Sequence, residues 1–166
     1  TNESYFKLFE NISEGAFSQT GVRPGGLDLT RRALAIGQLG PGSRILDVGC
    51  GSGVTVSYFR DECGIDGVGI DSSPVLLARG KARDATLPIF MADAAALPFR
   101  DGHFHGIILE CSLSLVQDPS QVLGECHRIL MPSGKLIVSD LYARNPESRE
   151  ELTNLRSSAM STFQQV

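Results

Sequence analysis

The chain of 166 residues is long enough for one domain, because a chain of this size buries about two thirds of its unfolded surface on folding. Its 42% hydrophobic and 20% charged residues are typical of globular proteins, and its net charge of −4 argues against a domain built mainly to bind nucleic acid. No apolar run approaches the ~18 residues of a membrane span, and the polar residues 1–4 do not resemble a signal peptide.

The first 48 residues predict two helices and a strand. Apolar residues at positions 5, 8, 9 and 12 fit one face of a short helix. We expect this helix and the Gly- and Pro-rich loop after it to form an N-terminal lid segment, residues 1–26. A second helix is predicted over 27–39, and the first strand over 44–48.

A glycine-rich turn follows this strand, with Gly49, Gly51 and Gly53 at alternate positions. Glycine tolerates positive φ and lets a ligand approach the backbone, although a turn without a ligand is the alternative. The dinucleotide fingerprint G-x-G-x-x-G would require glycine where this chain has Val54. Asp47 would also lie close to a pyrophosphate. A nucleotide-dependent oxidoreductase is therefore disfavoured, and a cationic ligand suits Asp47 better.

Residues 46–53 resemble motif I of the class I S-adenosylmethionine-dependent methyltransferases. The resemblance implies that S-adenosylmethionine binds here, with its ammonium group at Asp47 and its carboxylate at the N-terminus of the following helix, residues 54–62. The turn residues that the resemblance assigns to the cofactor are Gly49, Cys50, Gly51 and Gly53.

A second buried strand, over 67–71, ends at Asp71. The sequence separation of Asp71 from Asp47 is close to the ~20-residue offset at which an acidic residue reaches the ribose hydroxyls of an adenosine ligand. One carboxylate can accept both hydroxyl protons, and the predicted site includes the adjacent Ser72. An acidic N-cap for the helix over 75–83 is the alternative, and the two roles are compatible.

A third, short strand over 87–91 leads into the next part of the predicted site. In the methyltransferase family the acidic turn after this strand holds the adenine ring. The resemblance implies that Asp93 accepts from the exocyclic amine, that the Ala94 amide lies near a ring nitrogen and that Met91 packs nearby. The alternative is that Asp93 only caps a short helix.

The fourth strand, over 103–111, carries two histidines at its start. His103 and His105 alternate to one face, which permits metal ligation, but no other His or Cys has a companion spacing. We therefore expect surface or edge histidines and no metal site. Relatives in the family usually carry Asp where His105 stands.

Glu110 and Cys111 end the fourth strand and are the candidate catalytic residues, which also border the cofactor. The implied reaction is in-line transfer of the sulfonium methyl to a nucleophile, and its rate depends mainly on holding the two reactants in line. Glu110 is expected to act as a base or to face the ammonium group. Cys111 is expected to line the acceptor pocket, with a small buried hydrophobe as its alternative role.

The remainder of the chain completes an α/β pattern, with a helix over 117–130, a turn at 131–134, a fifth strand over 135–142 and a polar C-terminal helical segment, 143–166. Glu125 and Arg128 are interpreted as a solvated or ion-paired face of the first of these helices. Residues 27–142 are predicted to form the S-adenosylmethionine-binding domain.

Alternating strands and helices predict a Rossmann-like, doubly wound and mostly parallel sheet with helices on both faces. The acidic residues predicted at four strand ends, where such sheets bind ligands, are Asp47, Asp71, Asp93 and Glu110. The family has two further strands that we expect this chain to lack. An exposed edge strand would favour a homo-oligomer or reduced stability.

The function that the resemblance implies is methyl transfer to a small-molecule acceptor. Glu125-x-x-Arg128-x-Leu130 and the turn at 97–99 resemble the branch that acts on quinone precursors. An arsenite-type role would need several cysteines to converge on one pocket. The second candidate is a non-catalytic S-adenosylmethionine-binding module with a regulatory or assembly role. The four cysteines lack C-x-x-C spacing, so reduced thiols and a cytoplasmic location are expected.

Overall fold

The computed structural model describes residues 23–141. Most of the predicted lid segment 1–26, all of the predicted C-terminal segment 143–166 and the last residue of the predicted fifth strand lie outside the described residues. Across the described part, every helix falls short of the length and apolar character needed to cross a bilayer.

Helices and strands alternate along the chain. The helices are α1 (Gly26–Gly37), α2 (Val54–Glu62), α3 (Pro74–Arg83) and α4 (Pro119–Ile129). The strands are β1 (Arg44–Val48), β2 (Asp66–Asp71), β3 (Ile89–Met91), β4 (Phe104–Glu110) and β5 (Leu130–Ser139), and a 3₁₀ turn spans Leu113–Leu115. The predicted bounds of β1 and α2 are confirmed, and most other bounds differ by one or two residues.

The five strands form one parallel sheet in the order β3-β2-β1-β4-β5. Asp47 of β1 pairs with Gly69 of β2 on one side and with Ile108 of β4 on the other. Strands β1, β2 and β3 follow one another toward one edge of the sheet, and the chain then returns to place β4 on the other side of β1. The strand order therefore switches between β1 and β4. Ligands of doubly wound sheets bind outside the carboxyl ends of the strands at this switch point. The predicted Rossmann-like fold is thus confirmed.

Apolar layers cover both faces of the sheet, because successive side chains of a strand point to opposite faces. Ile45 packs with Phe59 of α2 and Leu34 of α1, whereas Leu46 packs on the other face with Ile129 of α4. Burial of each such side chain stabilises the fold by roughly 1.5–3 kcal/mol. The two layers hold the carboxyl ends of β1 and β4 in a fixed register.

The start of β5 differs from the prediction, which placed a turn at 131–134 and the strand from 135. Leu130 already pairs with Phe104, and Lys135 then pairs with Gly106, so β5 bulges between these two pairs. Ser133 has a φ of 67° inside the bulge. The residues at 131–134 are typical of a turn, but they lie within a strand because the residues on both sides of them pair with β4. Within the described residues β5 lies at an edge of the sheet.

Candidate functional site

A cavity of about 810 Å³ opens at the carboxyl ends of the strands, at the switch point. Most of the residues predicted for the site line it: Gly49, Cys50, Gly51, Asp71, Ser72, Met91, Asp93, Ala94, Glu110 and Cys111. Asp47 and Gly53 do not line it. Asp47 is buried beside the cavity, and Gly53 is the N-cap of α2.

The glycine turn is fixed by its backbone and by close packing. Gly49, Gly51 and Gly53 have φ angles of 81°, 55° and 74°, which side chains rarely adopt. A Cβ at Gly49 would lie 2.5 Å from the Cβ of Ser112, and a Cβ at Gly53 would lie 2.6 Å from Leu87. Gly51 has space around its position, so its need for glycine is conformational.

Asp71 braces this turn from β2. Its Oδ2 accepts from the Gly51 N–H at 2.7 Å, and its Oδ1 accepts from the Ser73 N–H at 2.8 Å. Ser73, not Asp71, caps α3, because its Oγ accepts from the Leu76 N–H at 3.2 Å. Asp71 also lines the cavity, where a carboxylate can accept from a ligand.

Asp47 is a buried carboxyl group, 3% exposed at the end of β1. Burial raises its pKa to about 8, the nearby carboxylates of Glu110 and Asp71 add to the rise, and the charge of Arg23 opposes it. Asp47 is therefore mainly protonated at neutral pH. A cation placed beside it would favour its ionised form.

Glu110 lies at the end of β4 and is held by three side chains. Thr30 donates to its carboxylate at 2.9 and 3.1 Å, Thr55 donates at 3.4 Å, and Arg23 forms an ion pair with it at 2.9 Å. Burial raises the pKa of Glu110, while these three partners lower it. The base role of Glu110 stays a prediction, because its oxygens already have donors.

Arg23 and Thr30 are site residues that the sequence prediction missed. Arg23 lines the cavity, and its Nη2 also donates to Thr30 at 2.6 Å. Thr30 lies on the buried face of α1 with Ala33, Leu34 and Gly37. Thr30 falls at the helical spacing of the buried face, and a buried hydroxyl group needs a hydrogen-bond partner, so the sequence contained a signal for Thr30. It contained no signal for the partner of Arg23.

Cys111 and Ser112 connect the end of β4 to its neighbours. Cys111 has a φ of 54°, a strained value for a side chain other than glycine. Its N–H donates to the Ser139 carbonyl at 2.7 Å. Burial raises the pKa of the Cys111 thiol and, to a greater extent, that of Cys50, so both thiols are protonated at neutral pH.

The loop after β3 is fastened to α4. Asp93 accepts from the Ala95 N–H at 2.8 Å within a turn, and it also lines the cavity. No helix lies between β3 and β4, so the alternative that Asp93 only caps a short helix is wrong. Glu125 accepts from the Leu97 N–H at 2.8 Å, and Arg128 donates to the Leu97 carbonyl at 3.0 Å. Arg128 also donates to the Phe99 carbonyl at 2.8 Å. Their predicted ion pair is present, but the pair holds a loop instead of forming a solvated face.

The two histidines lie at the start of β4, at the end of the sheet opposite the cavity. His105 accepts from the Arg44 N–H at 2.9 Å, and His103 lies 3.4 Å from the Arg44 guanidinium and 3.3 Å from Arg100. Burial lowers the pKa of His103, and the charges of these two arginines lower it further. Among the described residues, no group of three or more His, Cys, Asp or Glu side chains is arranged to hold a metal ion.

Comparison with known proteins gives the family. The sequence profile of a methyltransferase domain matches residues 46–138, more than half of the chain. The chain belongs to this methyltransferase family. The matched residues include all five strands except the first two residues of β1 and the last residue of β5, and all residues that line the switch-point cavity except Arg23.

Several curated methyltransferases are similar in sequence. The demethylmenaquinone methyltransferase of Renibacterium salmoninarum is 36% identical over 111 residues, 66% of this chain and 46% of that protein. That of Beutenbergia cavernae is 31% identical over 80% of this chain and 56% of its own length. Phosphoethanolamine N-methyltransferase 1 of Arabidopsis thaliana is 30% identical over 81% of this chain and 28% of its length. The chain thus spans about half the length of the first two.

Solved structures share the fold. The MccD protein has a TM-score of 0.72 at 25% identity, and the match covers 81% of this chain and 62% of that protein. Phosphoethanolamine N-methyltransferase 2 of Haemonchus contortus, solved with phosphomonomethylethanolamine and S-adenosylhomocysteine, has a TM-score of 0.74 at 22% identity, over 89% of this chain and 37% of that one. The predicted membership of the methyltransferase family is confirmed.

The residues of this chain fit the methyl donor that the family resemblance implies, S-adenosylmethionine. Asp47 offers a buried carboxyl group for an ammonium ion, and Asp71 lines the cavity with a carboxylate, a group that accepts from hydroxyl groups. The glycine turn removes side chains where a ligand would approach the backbone. The cavity volume lies within the roughly 300–1,000 Å³ range of small-molecule sites.

Proposed function

We propose that this chain binds S-adenosylmethionine in the switch-point cavity and transfers its methyl group to a small-molecule acceptor. The observation that carries the proposal is that the glycine turn and the carboxyl groups of Asp71 and Asp93 meet at one cavity, with Asp47 buried beside them. Packing alone does not require acidic residues at successive strand ends.

Each side chain has a proposed task in holding the cofactor. Asp71 accepts from the ribose hydroxyls, with Ser72 beside it. Asp93 and the Ala94 amide bind the adenine edge, and exposed Met91 covers the ring. Asp47 pairs with the ammonium group, and the turn from Gly49 to Gly53 lies against the methionine part.

When bound, S-adenosylmethionine supplies a methyl group on a positive sulfur, which leaves as a neutral thioether. The chain then has to hold the acceptor in line and keep water away. Glu110 is already engaged by Thr30, Thr55 and Arg23, which supports an orienting role over proton abstraction. Cys111 lines the cavity as a protonated thiol and supports the acceptor side.

For the acceptor, we propose an aromatic quinone precursor. Leu115 and Val116 line the cavity beyond Cys111, and Gln117 and Gln121 add two amides that can bind ring oxygens. The two relatives named demethylmenaquinone methyltransferase support this choice. The net charge of −4 supports a small molecule over a nucleic acid, and the unpaired thiols of the four cysteines support a cytoplasmic location.

Calorimetric titration with S-adenosylmethionine, S-adenosylhomocysteine and NAD tests the proposal. Binding of the two adenosyl ligands without NAD is the expected result. Asp71→Asn should weaken that binding by roughly tenfold or more, because the ribose hydroxyls lose a charged acceptor. Asp28→Asn, at an exposed position of α1, is the matched control. Binding of NAD instead would favour an oxidoreductase.

A transfer assay tests turnover. The protein is incubated with S-adenosylmethionine labelled in its methyl group and a demethylated quinone, with phosphoethanolamine as the competing acceptor. Label in the quinone is expected. Tight binding of the cofactor without transfer to any acceptor would favour the non-catalytic binding module.

A further inference from the structure

Arg23 is a buried cation whose hydrogen-bond donors are only partly used by the described residues. Its side chain is 9% exposed, and its Nη2 donates to Thr30 and to Glu110. The Nε atom is buried and has no hydrogen-bond partner among residues 23–141. An unpaired buried donor is rare in folded proteins, because its lost contacts with water are not replaced. Arg23 also lines the switch-point cavity.

The location of Arg23 relates it to one part of a ligand. Its partner Glu110 ends β4, two residues after the partner of Asp47 in β1, and both Glu110 and Gly49 line the cavity. The charge of Arg23 also lowers the pKa of Asp47, so the two groups are close in space. A cation and a buried carboxyl group therefore face the same end of the glycine turn.

A ligand that carries an ammonium and a carboxylate on one carbon matches this pair of groups. Arginine binds carboxylates well, because its planar donors match the two oxygens. Glu110 uses only part of this donor set. The N-terminus of α2 is the other candidate for the carboxylate, but a helix end gives only a partial charge.

We infer that Arg23 anchors the carboxylate of the methionine part of S-adenosylmethionine, opposite the ammonium group at Asp47. The inference rests on the proposed function. Glu110 and Thr30 hold the guanidinium at the cavity, and the Nε donor moves onto the incoming carboxylate. The loop before α1 thereby becomes part of the cofactor site.

The test compares two ligands that differ by one group. Decarboxylated S-adenosylmethionine keeps the sulfonium, the amino group and the adenosine but lacks the carboxylate. The wild-type chain should bind S-adenosylmethionine at least about tenfold more tightly than this analogue. In Arg23→Gln the preference should fall to within about threefold. Arg32→Gln, at an exposed position of α1, should keep the wild-type preference.

The outcomes separate the inference from the function on which it rests. An unchanged preference in Arg23→Gln would overturn the inference and assign the carboxylate to the N-terminus of α2. If the wild-type chain bound neither ligand, the proposed function itself would fail. A merely structural Arg23 would weaken both ligands equally and leave the preference intact, which also overturns the inference.

A second variant covers the case in which Arg23→Gln does not fold, since it leaves Glu110 buried without its cation. Arg23→Gln combined with Glu110→Gln removes both charges, and Glu110→Gln alone is its reference. The preference for the carboxylate should be present in the single variant and lost in the double variant. Equal preferences in the two would contradict the inference.

Discussion

The hydroxyl group of Ser112 donates a hydrogen bond of 2.7 Å to the carbonyl oxygen of Val48 and so joins the carboxyl ends of β4 and β1. The same residue packs against Gly49, where a Cβ would approach within 2.5 Å. The switch point is therefore closed by direct contact between its two loops. Glycine at 49 is required by this contact as well as by its φ of 81°.

Gly49→Ala should destabilise the protein by roughly 2–4 kcal/mol, since it adds a clash with Ser112 to the cost of a positive φ. Gly102→Ala is the control, because Gly102 has a φ of 59° and nothing within 4 Å of the added Cβ. It should cost only about 1 kcal/mol. Urea unfolding measures both, and equal losses would show that the contact with Ser112 does not matter.

Cofactor binding should depend on pH through Asp47. Its pKa of about 8 in the free protein means that an incoming ammonium must displace a proton from it. Ionised Asp47 binds the cation, and the ligand's own ammonium group loses its proton in more alkaline solution, so affinity should rise with pH only up to about 8. Below that value it should fall by up to tenfold per pH unit until the lower pKa of the bound state is reached.

Titration of S-adenosylhomocysteine at several pH values, in buffers of different ionisation enthalpy, measures the protons released on binding. Asp47→Asn should bind more weakly at pH 9 and should lose most of the proton release. A wild-type release that is unchanged in Asp47→Asn would assign the titration to another group. Glu110, Asp71 and Arg23 are the charged groups that act on Asp47.

The fold and the positions of most site residues could be predicted because they follow local rules. Strand β1, helix α2 and the glycine turn between them have a pattern of apolar residues and glycines that is read within twenty residues. To predict where the ligand binds, the only further rule needed is that ligands of such sheets bind at the switch point of the strand order. Residues at strand ends, such as Asp71, are therefore found together.

Contacts between distant residues could not be predicted. Thr30 donates to Glu110 across eighty positions of sequence, and Arg23 reaches the same carboxylate from a loop. The bulge in β5 and the role of Arg128 likewise depend on which elements become neighbours after folding. The spacing of apolar and polar residues in the sequence indicates which residues are buried or exposed, but it does not identify the hydrogen-bond partner of a long polar side chain.

Arg128→Lys should weaken cofactor binding more than it weakens the fold. Lysine cannot donate at once to Glu125 and to the Leu97 and Phe99 carbonyls, so the loop that carries Asp93 loses its attachment to α4. We expect a loss of roughly 1–2 kcal/mol in unfolding free energy. The affinity for S-adenosylhomocysteine should fall by about three- to tenfold, which is close to the same energy.

Asp101→Asn is the control for Arg128→Lys, because Asp101 is 81% exposed and pairs with the same guanidinium. An exposed pair contributes roughly 0–1 kcal/mol, so both stability and affinity should stay near wild type. Thermal unfolding and calorimetry on the two variants give the comparison. If Asp101→Asn lowered affinity as much as Arg128→Lys, the attachment of the loop would not be the cause.

Glu110→Gln separates a base from an orienting group. The substitution keeps the shape of the side chain but leaves the buried guanidinium of Arg23 without its counter-charge, so we expect a loss of roughly 2–4 kcal/mol in stability. If Glu110 only orients, kcat should fall by less than about tenfold, and its pH profile should keep its shape. If Glu110 is the base, kcat should fall by about 10²–10⁴, and the acidic limb of the profile should disappear. The three donors on its carboxylate lead us to expect the first result.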